Sequence, residues 1–255
     1  MTSSNHELPQ PLSGVSEENQ LTAQLFQYLE HINGALRRTY WLISVAVAIE
    51  KNPNILGDAI ETDANNVFAR TGSAEHEDIL RAAVILTHAY LEDFLRMLGR
   101  RLLPLASKEV LDQIPLAGTS GRVQKFFLGS LKRHIDKAVE QVVQESVDEY
   151  LDKYTFNNST EVVEFIENLG IKVDSDLTTV NQMMRRRHQI AHRADRLLSE
   201  TSEIYEIQPI SPVDVANWVT ATTAFIEHVV RSAIEQKIAP ESHLRNYFKS
   251  SEGDR

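Results

Sequence analysis

Apolar residues recur every three or four positions over most of this chain, the period of helices that bury one face. Leu21, Leu25, Tyr28, Ile32, Leu36, Thr39, Ile43 and Val47 predict a long first helix ending near Glu50, with Asn52-Pro53-Asn54 as its stop. A connector over 54–75 has room for a short helix at Asp63–Ala69. A second long helix over Glu75–Leu103 turns Ile79, Ala82, Ala83, Leu86, Tyr90, Phe94, Met97 and Leu98 inward and stops at Pro104. Ser107–Ile114 reads as a short helix. Val123–Tyr154 reads as a third long one, on the spacing of Phe127, Leu131, Ile135, Val139, Val142, Val143, Val147 and Leu151. Ser159 caps a short helix that stops at Gly170, and Asp174 or Ser175 caps the next. Ser211-Pro212 opens a final helix to about Lys237, with Trp218, Phe225, Ile226, Val229 and Val230 on its apolar side. Ile204–Ile207 has the composition of an extended segment, but no strand pairing is convincing. The expected fold is an all-α bundle of long antiparallel helices. It would occupy 16–238 as one domain, between a disordered tail at 1–15 and a polar tail at 239–255.

One helix breaks the pattern. Leu177, Val180, Met184, Ala191, Ala194 and Leu198 form a stripe, and the position between Met184 and Ala191 is Arg187. A guanidinium within an apolar stripe is unfavourable unless a partner or ligand satisfies it. His188 and His192 stand four residues apart, on one face beside the stripe. Arg185 and Asp195 lie near the same line. Arginine, two histidines and a carboxylate thus gather along one edge.

Composition narrows the alternatives. With 255 residues the chain is long enough for a sizeable core, and 42% hydrophobic with 24% charged residues is ordinary for a globular protein. The absence of cysteine removes disulfides and thiolate metal sites, and suits the cytoplasm. Met1–Gly14 lacks the basic and apolar regions of a secretory signal. The longest apolar run, Tyr40–Ile49, is too short to span a bilayer. A net charge of −10 argues against a broad nucleic-acid-coating surface. The charge is uneven, however. Asp136–Asp176 holds eleven acidic residues and three lysines, whereas Met183–Leu198 holds five arginines and one aspartate. Arg185, Arg186, Arg187, Arg193 and Arg196 form a local basic patch suited to phosphate.

Other chemistries fit less well. Histidines four apart can share a zinc ion, but Arg187 and Arg193 would repel it and the His-Glu-x-x-His pattern is missing. Gly118-Thr-Ser-Gly121, followed by Arg122 and Lys125, suggests a phosphate nest but lacks the P-loop lysine-serine pattern. No metal or cofactor is implied.

The stretch Arg187-His188-Gln189-Ile190-Ala191-His192 reads arginine, polar residue, three spacers, histidine. It resembles the signature of the HEPN superfamily, helical domains many of which are metal-independent ribonucleases. With Glu161–Ile171 before it, the likeness is greatest to the RiboL-PSP group. It covers about Phe156–Asp195 well and Ile79–Leu103 loosely. The resemblance implies an endoribonuclease that leaves a 2′,3′-cyclic phosphate and a 5′-hydroxyl. Arg187, His192 and His188 would be catalytic, with Arg185, Arg186, Arg193 and Arg196 binding substrate. Glu92 on the second helix would orient them, unless it only pairs with Arg96 on an exposed face, and Asp195 would be a further supporting residue. The resemblance further implies a homodimer with RNA as substrate, a toxin or antiviral role, and a possible cognate inhibitor or sensor protein. A minimal bundle of this kind is smaller than the chain, which marks 116–154 as a helical insertion. The competing reading is a non-catalytic helical module that binds RNA, a nucleotide or a protein through the same basic edge.

Overall fold

The computed structural model describes residues 17–52, 75–119, 128–198 and 205–236. The predicted short helix at Asp63–Ala69 and both tails lie outside them. In chain order the helices are α1 (Glu17–Lys51), α2 (Glu75–Leu102), α3 (Lys108–Leu111), α4 (Val139–Lys153), α5 (Ser159–Asn168), α6 (Thr178–Arg193) and α7 (Pro212–Glu235). Single 3₁₀ segments cover Leu103–Leu105 and Leu128–His134. The fold is all-α, as the spacing predicts.

α2 and α7 form the middle of the bundle. α1 lies along both, α6 also packs on both, α4 covers α2, and α5 packs on α6. The central position of α2 explains a difference from its predicted face. Leu80, Val84, Thr87, His88, Leu91 and Leu95 are buried, while Ile79, Leu86, Tyr90 and Met97 are half-buried and Ala82 is exposed. A helix packed on several sides buries an arc wider than one stripe. α1 keeps its expected face, with Leu25, Tyr28, Ile32, Leu36, Thr39 and Ile43 buried.

The ends follow capping chemistry. Ser211 accepts a hydrogen bond from the Asp214 amide at 3.1 Å, and Pro212 occupies the first turn of α7. α5 is capped by Asn158 rather than Ser159. Its side chain accepts from the Glu161 amide at 3.0 Å, and the Glu161 carboxylate accepts from the Asn157 amide at 2.8 Å. Gly170, at φ +80°, turns the chain after α5 in a conformation that L side chains rarely adopt. α6 starts after neither Asp174 nor Ser175. Asp176 instead accepts from the amide and hydroxyl of Thr178, at 2.9 and 2.6 Å. Gly99 has another role: a Cβ there would stand 2.6 Å from Phe165 Cζ, so the missing side chain lets α5 approach α2.

Two expectations are corrected. The third long helix is not continuous: its described part is a 3₁₀ segment over Leu128–His134 and a turn before α4, and 123–127 lie outside the described residues. α4 begins at Val139, because Ala138 is extended (ψ 149°) and the His134 carbonyl accepts from the Lys137 amide in a turn. The upstream stripe is not buried against any described residue: Leu131, Ile135 and Val139 are exposed while His134 is buried. The second correction concerns strands. Arg196–Leu198 and Tyr205–Ile207 pair antiparallel, with Arg196 opposite Ile207 and Leu198 opposite Tyr205. Three-residue strands are too short to show an alternating pattern.

Candidate functional site

α6 changes character along its length. Val180, Met183 and Met184 are buried in the core, whereas no residue from Arg185 to Arg193 is buried. The apolar stripe therefore stops at Met184. Ala191 is exposed, the helix ends at Arg193, and Ala194 and Leu198 lie beyond it, contrary to the stripe predicted to continue through them.

Arg187 is half-buried and, among the described residues, has no hydrogen-bonded or ion-pair partner. Its surroundings on α2 include His88, a residue the sequence analysis did not single out. His88 is buried, with Nε2 3.1 Å from the Phe156 carbonyl and Nδ1 3.9 Å from Glu92. Burial holds the His88 imidazole below its usual range; Glu92 opposes that shift and the Arg187 charge adds to it. Glu92, expected to orient the motif, also accepts a 3.3 Å hydrogen bond from Arg96, itself bonded to the Leu151 and Tyr154 carbonyls. Glu92 thus faces His88 and Arg96.

His188 and His192 are exposed and adjacent. Their ring centroids are 4.5 Å apart, with the planes inclined by 47°. Two exposed imidazoles and a guanidinium without a partner among the described residues share this part of the helix. Arg185, Arg193 and Arg196 are exposed and form no ion pair among the described residues, which leaves their charge open to solvent and ligand.

Arg186 behaves differently from its neighbours. It is turned into a polar cluster rather than toward a substrate surface. Its Nη1 donates to Gln208 Oε1 at 2.7 Å. Its Nη2 donates to Asp195 Oδ2 at 2.8 Å and to the Gln208 and Pro209 carbonyls at 3.0 Å. Asp195, placed by helical spacing on the line of Arg185, in fact follows the end of α6 and is fully buried. Its Oδ2 also accepts from Arg81 Nε at 2.8 Å, and Arg81 Nη2 donates to the Gln208 carbonyl at 2.8 Å. Glu77 and Asp78 complete the partners of Arg81, at 2.8 and 3.0 Å. The sequence analysis missed Arg81 and Gln208. For Arg81 there was a signal: with Val84, His88 and Leu91 it occupies an i, i+3, i+7, i+10 face of α2, a polar pair within an apolar arc. Gln208 carried none, because its role depends on a loop carbonyl.

The loop after α3 does not make a phosphate nest around Gly118. Its amide donates to the Glu149 carboxylate, and the Arg133 guanidinium fills the space a Cβ would take. Ser120 and Gly121 lie outside the described residues. No group of three His, Asp or Glu side chains at metal-binding geometry occurs among the described residues, and none of their helices is long and apolar enough to cross a membrane.

The family model described as RiboL-PSP-HEPN matches residues 53–235, a span that holds both the polar cluster and the Arg187–His192 edge. No curated protein and no solved structure matches the chain.

Proposed function

The chain belongs to the RiboL-PSP-HEPN family, and from that premise we propose that it is a metal-independent endoribonuclease acting through Arg187, His192 and His188. Membership alone supports a nuclease-like or RNA-related helical module. The observation that carries the finer reading is the contrast within one pair of residues: both Nη atoms of Arg186 are engaged, while half-buried Arg187 has no partner among the described residues and lies beside two exposed imidazoles.

The chemistry follows from these groups. The 2′-hydroxyl of ribose loses a proton to one imidazole as its oxygen attacks the neighbouring phosphorus. The 5′-oxygen leaves and takes a proton from the other. The products are a 2′,3′-cyclic phosphate and a 5′-hydroxyl. Arg187 donates its planar fork to the phosphoryl oxygens as negative charge grows on them. Arg185, Arg193 and Arg196 attract the flanking phosphates. Two motif helices facing one another across a homodimer would double the imidazoles and guanidinia around one phosphate. In that arrangement the exposed half of α6 is the shared face. Action as a toxin or antiviral effector in the cytoplasm, held in check by an inhibitor or sensor protein, is the context that fits such an activity.

The test is incubation with total RNA in excess EDTA, followed by end-group analysis. Cleavage with cyclic-phosphate ends, lost in His192→Ala while helical circular dichroism is retained, is the expected result. RNA that is bound but never cut would instead favour the non-catalytic binding module.

A further inference from the structure

We propose that Asp195 is a positioning residue for this site: its buried carboxylate, gripped by Arg81 and Arg186, fixes the end of α6 so that His192 stays beside His188 and, of the adjacent pair Arg186 and Arg187, only Arg187 is left to a ligand. The proposal rests on the ribonuclease reading for its catalytic meaning, but the geometry it describes can be measured separately.

The cluster joins four segments at one carboxylate. Arg81 comes from α2, Arg186 from α6, Asp195 from the residue pair after α6, and Gln208 from the approach to α7. The backbone at the helix end is unusual. Ala194 and Asp195 are consecutive non-glycine residues at positive φ, +49° and +59°. L-residues seldom adopt this conformation, and two in succession persist only where the surroundings dictate it. The surroundings do so here. The amides of Ala194 and Asp195 both donate to the Gln189 carbonyl, and the Asp195 carbonyl accepts from the Gln208 amide at 2.9 Å. Gln189 lies between the two histidines, so the turn that carries His192 is closed by bonds whose acceptor sits one residue after His188.

The cluster also assigns the two central arginines to different tasks. Arg186 and Arg187 are adjacent, so their side chains leave the helix about 100° apart. The carboxylate and the Gln208 and Pro209 carbonyls collect the Arg186 fork on one side. No acceptor collects Arg187 on the other, among the described residues. A cluster that served only to hold elements together would have no need to sit immediately after the motif. An apolar contact of the same volume often stabilises as well as a buried ion pair does. What the carboxylate adds is direction: it sets the rotation of the last turn and the side from which Arg186 is held.

Asp195→Asn tests this, because it keeps the size of the side chain and one acceptor but removes the charge. Proton NMR would follow the His188 and His192 ring signals, assigned with His188→Gln and His192→Gln. In the wild type, rings with centroids 4.5 Å apart should shift one another's signals through their ring currents and give a ring-to-ring nuclear Overhauser effect. In Asp195→Asn the ring signals should move and the ring-to-ring effect should weaken, while helical circular dichroism is unchanged. Cleavage should fall at least tenfold in kcat with little change in KM. Should Asp195→Asn fail to fold, Gln208→Ala removes only the 2.7 Å bond to Arg186 Nη1 and should produce a smaller displacement in the same direction. Unaltered His188 and His192 ring signals and an unaltered ring-to-ring effect in folded Asp195→Asn would overturn the proposal. Wild-type protein inert on RNA, with the ring proximity still dependent on Asp195, would overturn the ribonuclease reading and leave the positioning geometry supported.

Discussion

The two halves of α6 have the same backbone geometry and opposite surroundings. From Thr178 to Met184 the helix is held by apolar contact, with Val180, Met183 and Met184 in the core. From Arg185 to Arg193 no residue is fully buried, Ile190 alone of its apolar residues packs partly against the core, and Asp195, beyond the helix end, holds Arg186. The difference shows how a helix can be rigid at both ends and still keep a working surface between them. Burial anchors one end without direction, since apolar contact tolerates small rotations. Hydrogen bonds to a buried carboxylate anchor the other with a defined orientation. Between the anchors, Arg187, His188 and His192 owe nothing to the core and are available to a ligand.

Substitutions in each half should therefore produce different kinds of damage. The largest effect expected is on stability, from the buried half. Met184→Ala should lower the unfolding free energy by about 2–5 kcal/mol, read by denaturant titration, through lost burial and an unfilled cavity. Arg187→Ala should do the converse: a rate loss on the order of 100-fold or more, with the denaturation midpoint close to wild type. A large drop in stability for Arg187→Ala would show that the guanidinium belongs to the first half after all. Next in size is a subunit effect. Wild-type chains mixed one to one with Arg187→Ala/His192→Ala chains, after exchange, should show activity per wild-type chain reduced to about half by random pairing. Constant activity across all ratios would place a complete site in each chain and give His188 the second proton transfer.

Smaller effects sharpen the comparison further. Arg185→Ala and Arg193→Ala should each weaken RNA binding modestly and reduce the slope of log affinity against log salt by about one. Equal rate losses for these two and for Arg187→Ala would reduce the patch to bulk charge. The smallest effect concerns pH. Burial holds His88 below its usual pKa, so the unfolded chain takes up a proton that the folded chain refuses. Stability should therefore decline as pH falls through the ordinary imidazole range, near about 6.5. His88→Gln should make that decline shallower, as followed by thermal melts between neutral and mildly acid pH.

Much of this arrangement was legible in the sequence, and the exceptions have a common cause. Regular spacing marked α1, α7 and the first half of α6, because each presents one dominant apolar face to the bundle, and a capping residue with Gly170 marked α5. The same reasoning failed over Leu131–Val139, where the spacing is helical but no neighbouring surface buries it. It also failed on α2, which is buried over more than one face. At the site, the grouping of Arg187, His188 and His192 on one helix was visible in the residues alone, but the stripe that made Arg187 look anomalous ends at Met184. The division between Arg186 and Arg187 was not, because helical position says where a side chain starts and not which distant carbonyls wait for it. The Gln208 and Pro209 carbonyls are such acceptors. The positive φ at Ala194 and Asp195 carried no glycine to announce it.

The cluster at Asp195 has a consequence for the order in which the molecule assembles. Arg81 and Asp195 are separated by 114 positions, and Arg81 and the Gln208 carbonyl by 127. Contacts of such long range are among the last to form, since the loops they close must lose their freedom first. On a ribosome the chain emerges from its N-terminus, and the cluster cannot close until Gln208 and Pro209 are outside. The motif helix will already have been made, with its histidines in place along the chain but its end still frayed. Completion of the site is thereby tied to the synthesis of Gln208 and Pro209, so a truncated product ending before Gln208 would carry the motif without the geometry that holds it.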